Sequence, residues 1–340
     1  MTYRHIEDGR GSVYGRAGVP VRGGGGGGRA GVPEPGDVPP RRRRPRWGRI
    51  FGVLLVLLLV VVVGVAAAGT YYLNKFDGQV KRVDGVFSTS ADRPAPGAAG
   101  AMNILLIGND AWKHKPPRSD TIMVVHIPAD RSRAYLVSIP RDSWVPVPGN
   151  GRAKVNAAYA WGGPALLVRT VEQFTDLRID HFAQISFSGF KEMTDAVGGV
   201  TMPGAGHLNG DQALTYVRER KSLPGGDFDR IKRQQAFIKE LLKESTSSMS
   251  NPLALVRLLD ALSKAISVDS GFSGGELRSL ALSMRNIRGS DIVVNTAPTT
   301  GTGMVGSQSV VFLDRSAGVE LWKAMREDRM AEWTAAHPRK

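Results

Sequence analysis

The sequence predicts an α/β fold, a sandwich of strands and helices, preceded by a disordered tail and one transmembrane helix. Three observations predict it. Short apolar runs of strand length alternate with segments of helical periodicity, one apolar stretch runs for about twenty residues without a charge, and arginines and aspartates gather where the apolar runs end. The 340-residue chain has no cysteine, which excludes disulfides and thiolate metal sites.

Residues 1–49 are rich in Gly, Pro and Arg, with a glycine run from Gly23 to Gly28. Such a segment cannot bury enough apolar surface to offset its ordering entropy, so it reads as a disordered cytoplasmic tail. The glycine run neither follows a strand nor opens a helix, so it is not a phosphate loop. Eleven arginines against four carboxylates ahead of Ile50 carry half of the formal net charge of +14. Basic residues in that position serve topology and anionic lipid contact, so no nucleic-acid partner is expected.

The run IFGVLLVLLLVVVVGVAAAGT, Ile50 to Thr70, lies within a transmembrane helix assigned to residues 50–73. Trp47, Tyr71 and Tyr72 flank it, and the arginines before it place the N-terminus inside and the C-terminal domain outside the cytoplasmic membrane. Ala66 to Ala68 could pass for a signal-peptide cleavage site, but the apolar run is longer than a usual signal core. The remainder is exported in either case. Residues 74–100, polar and small with Pro94 and Pro96, read as a stalk, and residues 101–340 as one extracytoplasmic domain.

Within the domain, Met102 to Ile107, Thr121 to Ile127 and Ala134 to Ile139 have the length and composition of buried strands, and His181 to Phe187 forms another. Helices are expected over Pro164 to Thr175, Phe190 to Val197, Gly210 to Arg218, Phe228 to Lys243 and Leu253 to Ile266. A strand at Asp291 to Asn295 and a helix from Ala317 to Trp333 complete the chain.

Charged residues sit where strands end, the place where open α/β sheets bind ligands. Asp110 follows the first strand, Arg118 and Asp120 lead into the second, and Arg141 and Asp142 follow the third. Any one of them alone reads as a solvated loop charge, and only their convergence points further. Asp227, Arg230 and Gln234, spaced by three and four, share one helix face, with Arg218, Arg220 and Arg233 close by in sequence. Arginine grips phosphate oxygens through a planar fork of donors, so converging arginines suggest a diphosphate. Asp110 and Asp120 supply hard oxygens suited to Mg2+, which takes one or two carboxylates and fills its shell with phosphate and water. His126 and His181 sit in strands and read as structural, and neither HExxH nor GxSxG occurs.

These motifs resemble the LytR-CpsA-Psr family of cell-wall glycopolymer transferases, from Asn103 to the C-terminal region. The resemblance rests on Ile107-Gly108-Asn109-Asp110, Arg118-Ser119-Asp120-Thr121, Ser138-Ile139-Pro140-Arg141-Asp142 and Lys154-Val155-Asn156-Ala157-Ala158-Tyr159. It continues through Leu208-Asn209-Gly210-Asp211-Gln212-Ala213-Leu214, Tyr216-Val217-Arg218-Glu219-Arg220, Gly226-Asp227-Phe228-Asp229-Arg230 and Arg233-Gln234-Gln235. The sequence departs from the family pattern at Trp112, where arginine is frequent, and in a short Gly199 to Leu208 segment.

The resemblance implies an α/β/α sandwich with a central mixed sheet that encloses a polyprenyl tail. It also implies transfer of a glycopolymer, with its phosphate, from a polyprenyl-diphosphate carrier to a peptidoglycan hydroxyl. By motif position, Asp110 and Asp120 hold magnesium, while Arg118, Arg141, Arg218, Arg220, Arg230 and Gln234 hold the diphosphate. Arg118, Arg141 and Asp227 are the catalytic candidates, with Asp227 as proton acceptor although flanking arginines weaken a carboxylate as a base. Two further readings stay open: a membrane-anchored sensor that binds polyprenyl diphosphate without turnover, and a lipid diphosphate hydrolase.

Overall fold

The structure is a computed structural model that describes residues 78–88, 93–109, 119–220, 222–248, 252–284 and 286–338. The expected tail and transmembrane helix, Asp110, Trp112 and Arg118 lie outside the described residues. Among the described residues no helix is long and apolar enough to cross a membrane.

The chain begins with β1 (Lys81–Val83), β2 (Met102–Asn109), β3 (Ser119–Ile127), β4 (Ala134–Ser138) and the hairpin of β5 (Trp144–Val147) and β6 (Gly151–Lys154). Then come α1 (Val155–Thr175), β7 (His181–Ser186), α2 (Phe187–Ala196), the hairpin of β8 (Val200–Met202) and β9 (Gly206–Leu208), α3 (Gly210–Arg218), α4 (Asp227–Ser248) and α5 (Pro252–Ala265). The last part holds β10 (Ile266–Asp269), α6 (Gly274–Ser283), β11 (Ile292–Thr296), the hairpin of β12 (Thr299–Val305) and β13 (Gln308–Leu313), α7 (Arg315–Arg326) and α8 (Met330–Ala336).

Seven of these strands form the central sheet in the order β1-β10-β7-β2-β3-β4-β11. It is mixed, as expected: β2 pairs antiparallel with β3 and parallel with β7, while β4 pairs antiparallel with β3 and parallel with β11. The register sets Leu105 opposite Val124 and Leu106 opposite Met123. Alternation along a strand sends consecutive side chains to opposite faces. One face therefore takes Leu105, Ile107, Val124 and Val137 into a continuous core with Leu167, Val171, Leu321 and Trp322 of α1 and α7. The apolar residues of the other face fall into separate clusters under α2 to α6.

Three expectations need correction. The segment read as a stalk belongs in part to the fold: β1 pairs with β10, Val80 and Val86 are buried, and the Arg93 guanidinium donates to the buried Glu172 carboxylate at 2.7 Å. That short strand escapes a search for apolar runs because Lys81 and Arg82 make up most of it. Second, α1 starts at Val155 and not at Pro164. It is interrupted at Gly162 and Gly163, where Gly163 takes φ 60°, and Pro164 follows as a helix-compatible restart. Third, the C-terminal helix is two helices, because Asp328 between them adopts φ 56°. Its carboxylate accepts from Ala129 N at 3.0 Å and lies 3.0 Å from the buried His126 Nε2.

Candidate functional site

Strand ends and the start of α4 build the site. β3 begins at the edge of the sheet where β4 ends, which brings Asp120 next to Arg141, and Arg141 Nη1 donates to Asp120 Oδ1 at 2.5 Å. The β5–β6 hairpin folds back so that Lys154 Nζ lies 3.1 Å from Asp142 Oδ1, and Asn156 N donates to Arg141 O at the start of α1. The loop carrying Arg141 and Asp142 is thus held from two sides.

α4 starts at Asp227, and the three-and-four spacing puts Asp227, Arg230 and Gln234 on one face as expected. Gln235, next on the helix and buried, donates to Asn295 O at 2.8 Å and Ser138 Oγ at 2.9 Å, docking α4 onto the ends of β4 and β11. Asp227 Oδ1 then lies 2.8 Å from Arg230 Nη2 and 3.6 Å from Arg141 Nε. Arg230 Nη2 also donates to the backbone oxygen of Asp120 at 3.1 Å. Burial pushes the Arg230 guanidinium below its ordinary range, and the Asp227 carboxylate beside it favours the charged form.

The result is a chain of alternating charge, Asp120, Arg141, Asp227, Arg230, on the hollow side of the sheet. Arg230 Nη2 is near enough to Asp227 for a hydrogen bond but not aligned for one, and Arg141 Nε is too far, so both contacts are ion pairs. Both Asp227 carboxylate oxygens, Arg141 Nε and Arg230 Nε are buried without a hydrogen-bond partner. Buried polar atoms are rarely left so, and such a concentration marks a place built for a polar ligand.

Behind this cluster an apolar cavity of about 370 Å3 extends between the sheet and the helices, floored by Leu106, Met123 and Leu136 and roofed by Phe190, Phe237 and Leu241. Asp120, Arg141, Arg218, Arg220, Arg230 and Gln234 also line it. The structure therefore brings together the described site residues expected from sequence. Arg218 lies over the Phe187 ring at 4.5 Å, and Gln234 donates to Val217 O at 3.2 Å. His126 and His181 are structural: His126 Nδ1 lies 2.8 Å from Asn103 Oδ1, and His181 Nδ1 lies 3.2 Å from Asp269 Oδ2.

Sequence reasoning missed a supporting layer. Asn109 at the end of β2 donates to Tyr159 Oη at 2.8 Å and Gln184 Oε1 at 3.2 Å, and burial pushes the Tyr159 phenol up. Lys154 and Tyr159 belong to one motif with no charge pattern of its own, and only the fold of the β5–β6 hairpin places it beside Arg141. Among the described residues no group of three or more His, Cys, Asp or Glu side chains is placed to hold a metal.

An arginine-rimmed apolar cavity on one side of a mixed sheet defines an α/β protein built for an amphipathic anion. The LytR_cpsA_psr family model matches residues 61–203 and 201–327, and the chain belongs to that family. It is 35% identical over 283 residues to the probable cell wall biosynthesis protein LcpB of Corynebacterium glutamicum, a match covering 74% of this chain and 66%, just under two thirds, of that protein. It is 34% identical over 209 residues to the polyisoprenyl-teichoic acid–peptidoglycan teichoic acid transferase TagU of Bacillus mycoides, over 55% of this chain and 69% of that one. The crystal structure of B. subtilis TagV superposes with a TM-score of 0.57 at 27% identity, covering 68% of this chain and 97% of that one.

Proposed function

We propose that this protein transfers a glycopolymer, with its phosphate, from a polyprenyl-diphosphate carrier to a hydroxyl of peptidoglycan. The observation that carries the reading is the group of unsatisfied polar atoms on Arg141, Asp227 and Arg230 beside an apolar cavity. A lipid diphosphate has the same two parts, an anionic head and a long apolar tail, and the kinship with TagU, named for teichoic acid transfer to peptidoglycan, supports the acceptor.

In this reading the tail lies in the cavity and the diphosphate is bound by Arg141, Arg218, Arg220, Arg230 and Gln234, with Arg118 assigned to it by motif position. Phosphoryl transfer needs an in-line nucleophile and neutralisation of the charge spread over the phosphate oxygens, which fixed guanidiniums supply without reorganising. Asp227 stands between Arg141 and Arg230 as their common counterion, which aligns both forks and leaves it engaged as a clamp more than as a base. Asp120 presents a carboxylate at the same place, a donor type that fits Mg2+ together with Asp110. The ion would draw the rest of its shell from phosphate and water, as magnesium does. When bound it neutralises charge on the leaving phosphate.

The expected setting is the outer face of the cytoplasmic membrane, with residues 50–73 as the single anchor and no nucleic-acid partner. A polyprenyl carrier moves only within the bilayer while its acceptor is the wall, and such an anchor keeps the site between them. Incubating the full chain with a lipid-linked polymer and peptidoglycan tests the reading. Polymer attached to the wall material supports it. Release of free polymer makes the protein a hydrolase, and binding without turnover makes it a sensor.

A further inference from the structure

The outer side of the α3–α4 pair carries a second concavity, an open groove of about 460 Å3 formed by Asp211, Gln212, Thr215, Tyr216, Glu219 and Arg233. Asp211, Thr215 and Glu219 succeed each other at intervals of four along α3 and its end, as do Gln212 and Tyr216, so all five share one face. Arg233 of α4 closes the groove with its guanidinium stacked on the Tyr216 ring at 4.6 Å. Glu219 and Arg233 are chain neighbours of Arg218 and Gln234, which line the apolar cavity. The two helices therefore show one side to the cavity and the other to the groove.

Charge separates the two sites. Around the cavity mouth Arg141, Arg218, Arg220 and Arg230 outnumber Asp120 and Asp227, which suits a diphosphate. The groove lining sets Asp211 and Glu219 against Arg233, and Lys191 outside the lining pairs with Asp211 at 2.8 Å, which brings the charge to balance. Thr215 Oγ1 donates within the helix to Asp211 O, and Gln212 Oε1 accepts from Asn209 N. Gln212 Nε2 and the stacked Arg233 guanidinium are therefore the donors, and the carboxylate and hydroxyl oxygens the acceptors, that this balanced set offers to hydroxyl and amide groups, with no net attraction to a polyphosphate. We propose that this groove binds the saccharide backbone of the acceptor strand and leads it toward the cavity mouth. The proposal rests on the transferase reading given above.

Two variants of the full chain in detergent micelles test it, using soluble uncrosslinked peptidoglycan strands as the probe. Thr215→Arg puts bulk into the groove from an exposed helix position, and Arg233→Ala removes the stacked donor. Both are expected to weaken strand binding, measured without donor, by roughly fivefold to tenfold, the scale of one or two lost hydrogen bonds. The KM for acceptor should rise in parallel, while the KM for lipid-linked donor, kcat at saturating acceptor and Tm stay as in the parent. Unchanged strand affinity in both variants, or a rise in the donor KM instead, overturns the proposal. Strand binding needs no turnover: a parent chain that binds strands through the groove yet transfers nothing sinks the transferase reading alone, whereas transfer indifferent to both variants sinks the groove alone.

Discussion

The two faces of the central sheet are made from the same strands and do opposite things. On one, Leu105, Val124 and Val137 meet α1 and α7 in a single continuous core. On the other, their neighbours Leu106, Met123 and Leu136 look into a cavity, and the apolar residues around it form separate clusters. The solid face supplies the free energy of folding, since close packing rewards every buried methylene. That leaves the hollow face free to keep space for a ligand, and four of the six buried polar atoms without partners among the described residues, those of Arg141, Asp227 and Arg230, lie there.

The largest expected effect sharpens this division from the side of activity. Arg141→Ala removes the guanidinium that faces both Asp120 and Asp227, and transfer is expected to fall by about a hundredfold to a thousandfold, as when a preorganised donor to a reacting oxyanion is lost. Tm should fall only modestly, because Asp227 keeps Arg230 as its counterion and the continuous core is untouched. A rate close to that of the parent in a transfer assay would remove Arg141 from the chemistry.

Adjacent residues of β2 give the next test. Leu105 is fully buried in the solid core, and Leu105→Ala is expected to cost about 3 kcal/mol, the sum of lost transfer energy and a new cavity. Leu106→Ala enlarges a space that already exists, so the cavity contribution is small and the cost is about 1 kcal/mol. Denaturant titrations of the two variants check the difference, and equal losses would break the comparison. Leu106→Trp sharpens it in the other direction: the indole fills the cavity, so binding of a polyprenyl diphosphate should be lost while the fold is kept.

How much of this was legible in the sequence follows the same division. Strands covered on both faces announce themselves as apolar runs, so the start of β2 and the extents of β3 and β4 were visible within a few residues. The Asp227, Arg230 and Gln234 face was visible because helical spacing is a local property. The hairpins β5–β6, β8–β9 and β12–β13 were not, since glycine-rich or charged short strands carry little alternation. Nor was the pairing of Arg141 with Asp120 and Asp227, which depends on where β3, β4 and α4 meet in space. The hollow itself is invisible in sequence, because Leu106 and Leu105 are the same residue type on opposite faces.

The smallest effect concerns the pairing of β10 with β7. Asp269 at the end of β10 is buried, which alone would raise its pKa, but it faces His181 Nδ1 at 3.2 Å and accepts from Phe182 N at 3.0 Å. These contacts outweigh burial and hold the carboxyl below its ordinary range, while the His181 ring stacks on Phe272 at 3.8 Å. A group whose folded pKa is depressed contributes stability that is present above the unfolded value near 4 and is lost as pH falls through the folded value. Asp269→Asn should therefore lower Tm modestly at pH 7, by roughly the 1 kcal/mol of a buried hydrogen bond, and should flatten the fall of Tm below about pH 4. An acid limb of Tm as steep in the variant as in the parent would mean that the β7–β10 pairing is held by the apolar packing of Val268 and Phe272 alone, and that the hollow face owes nothing to this carboxylate.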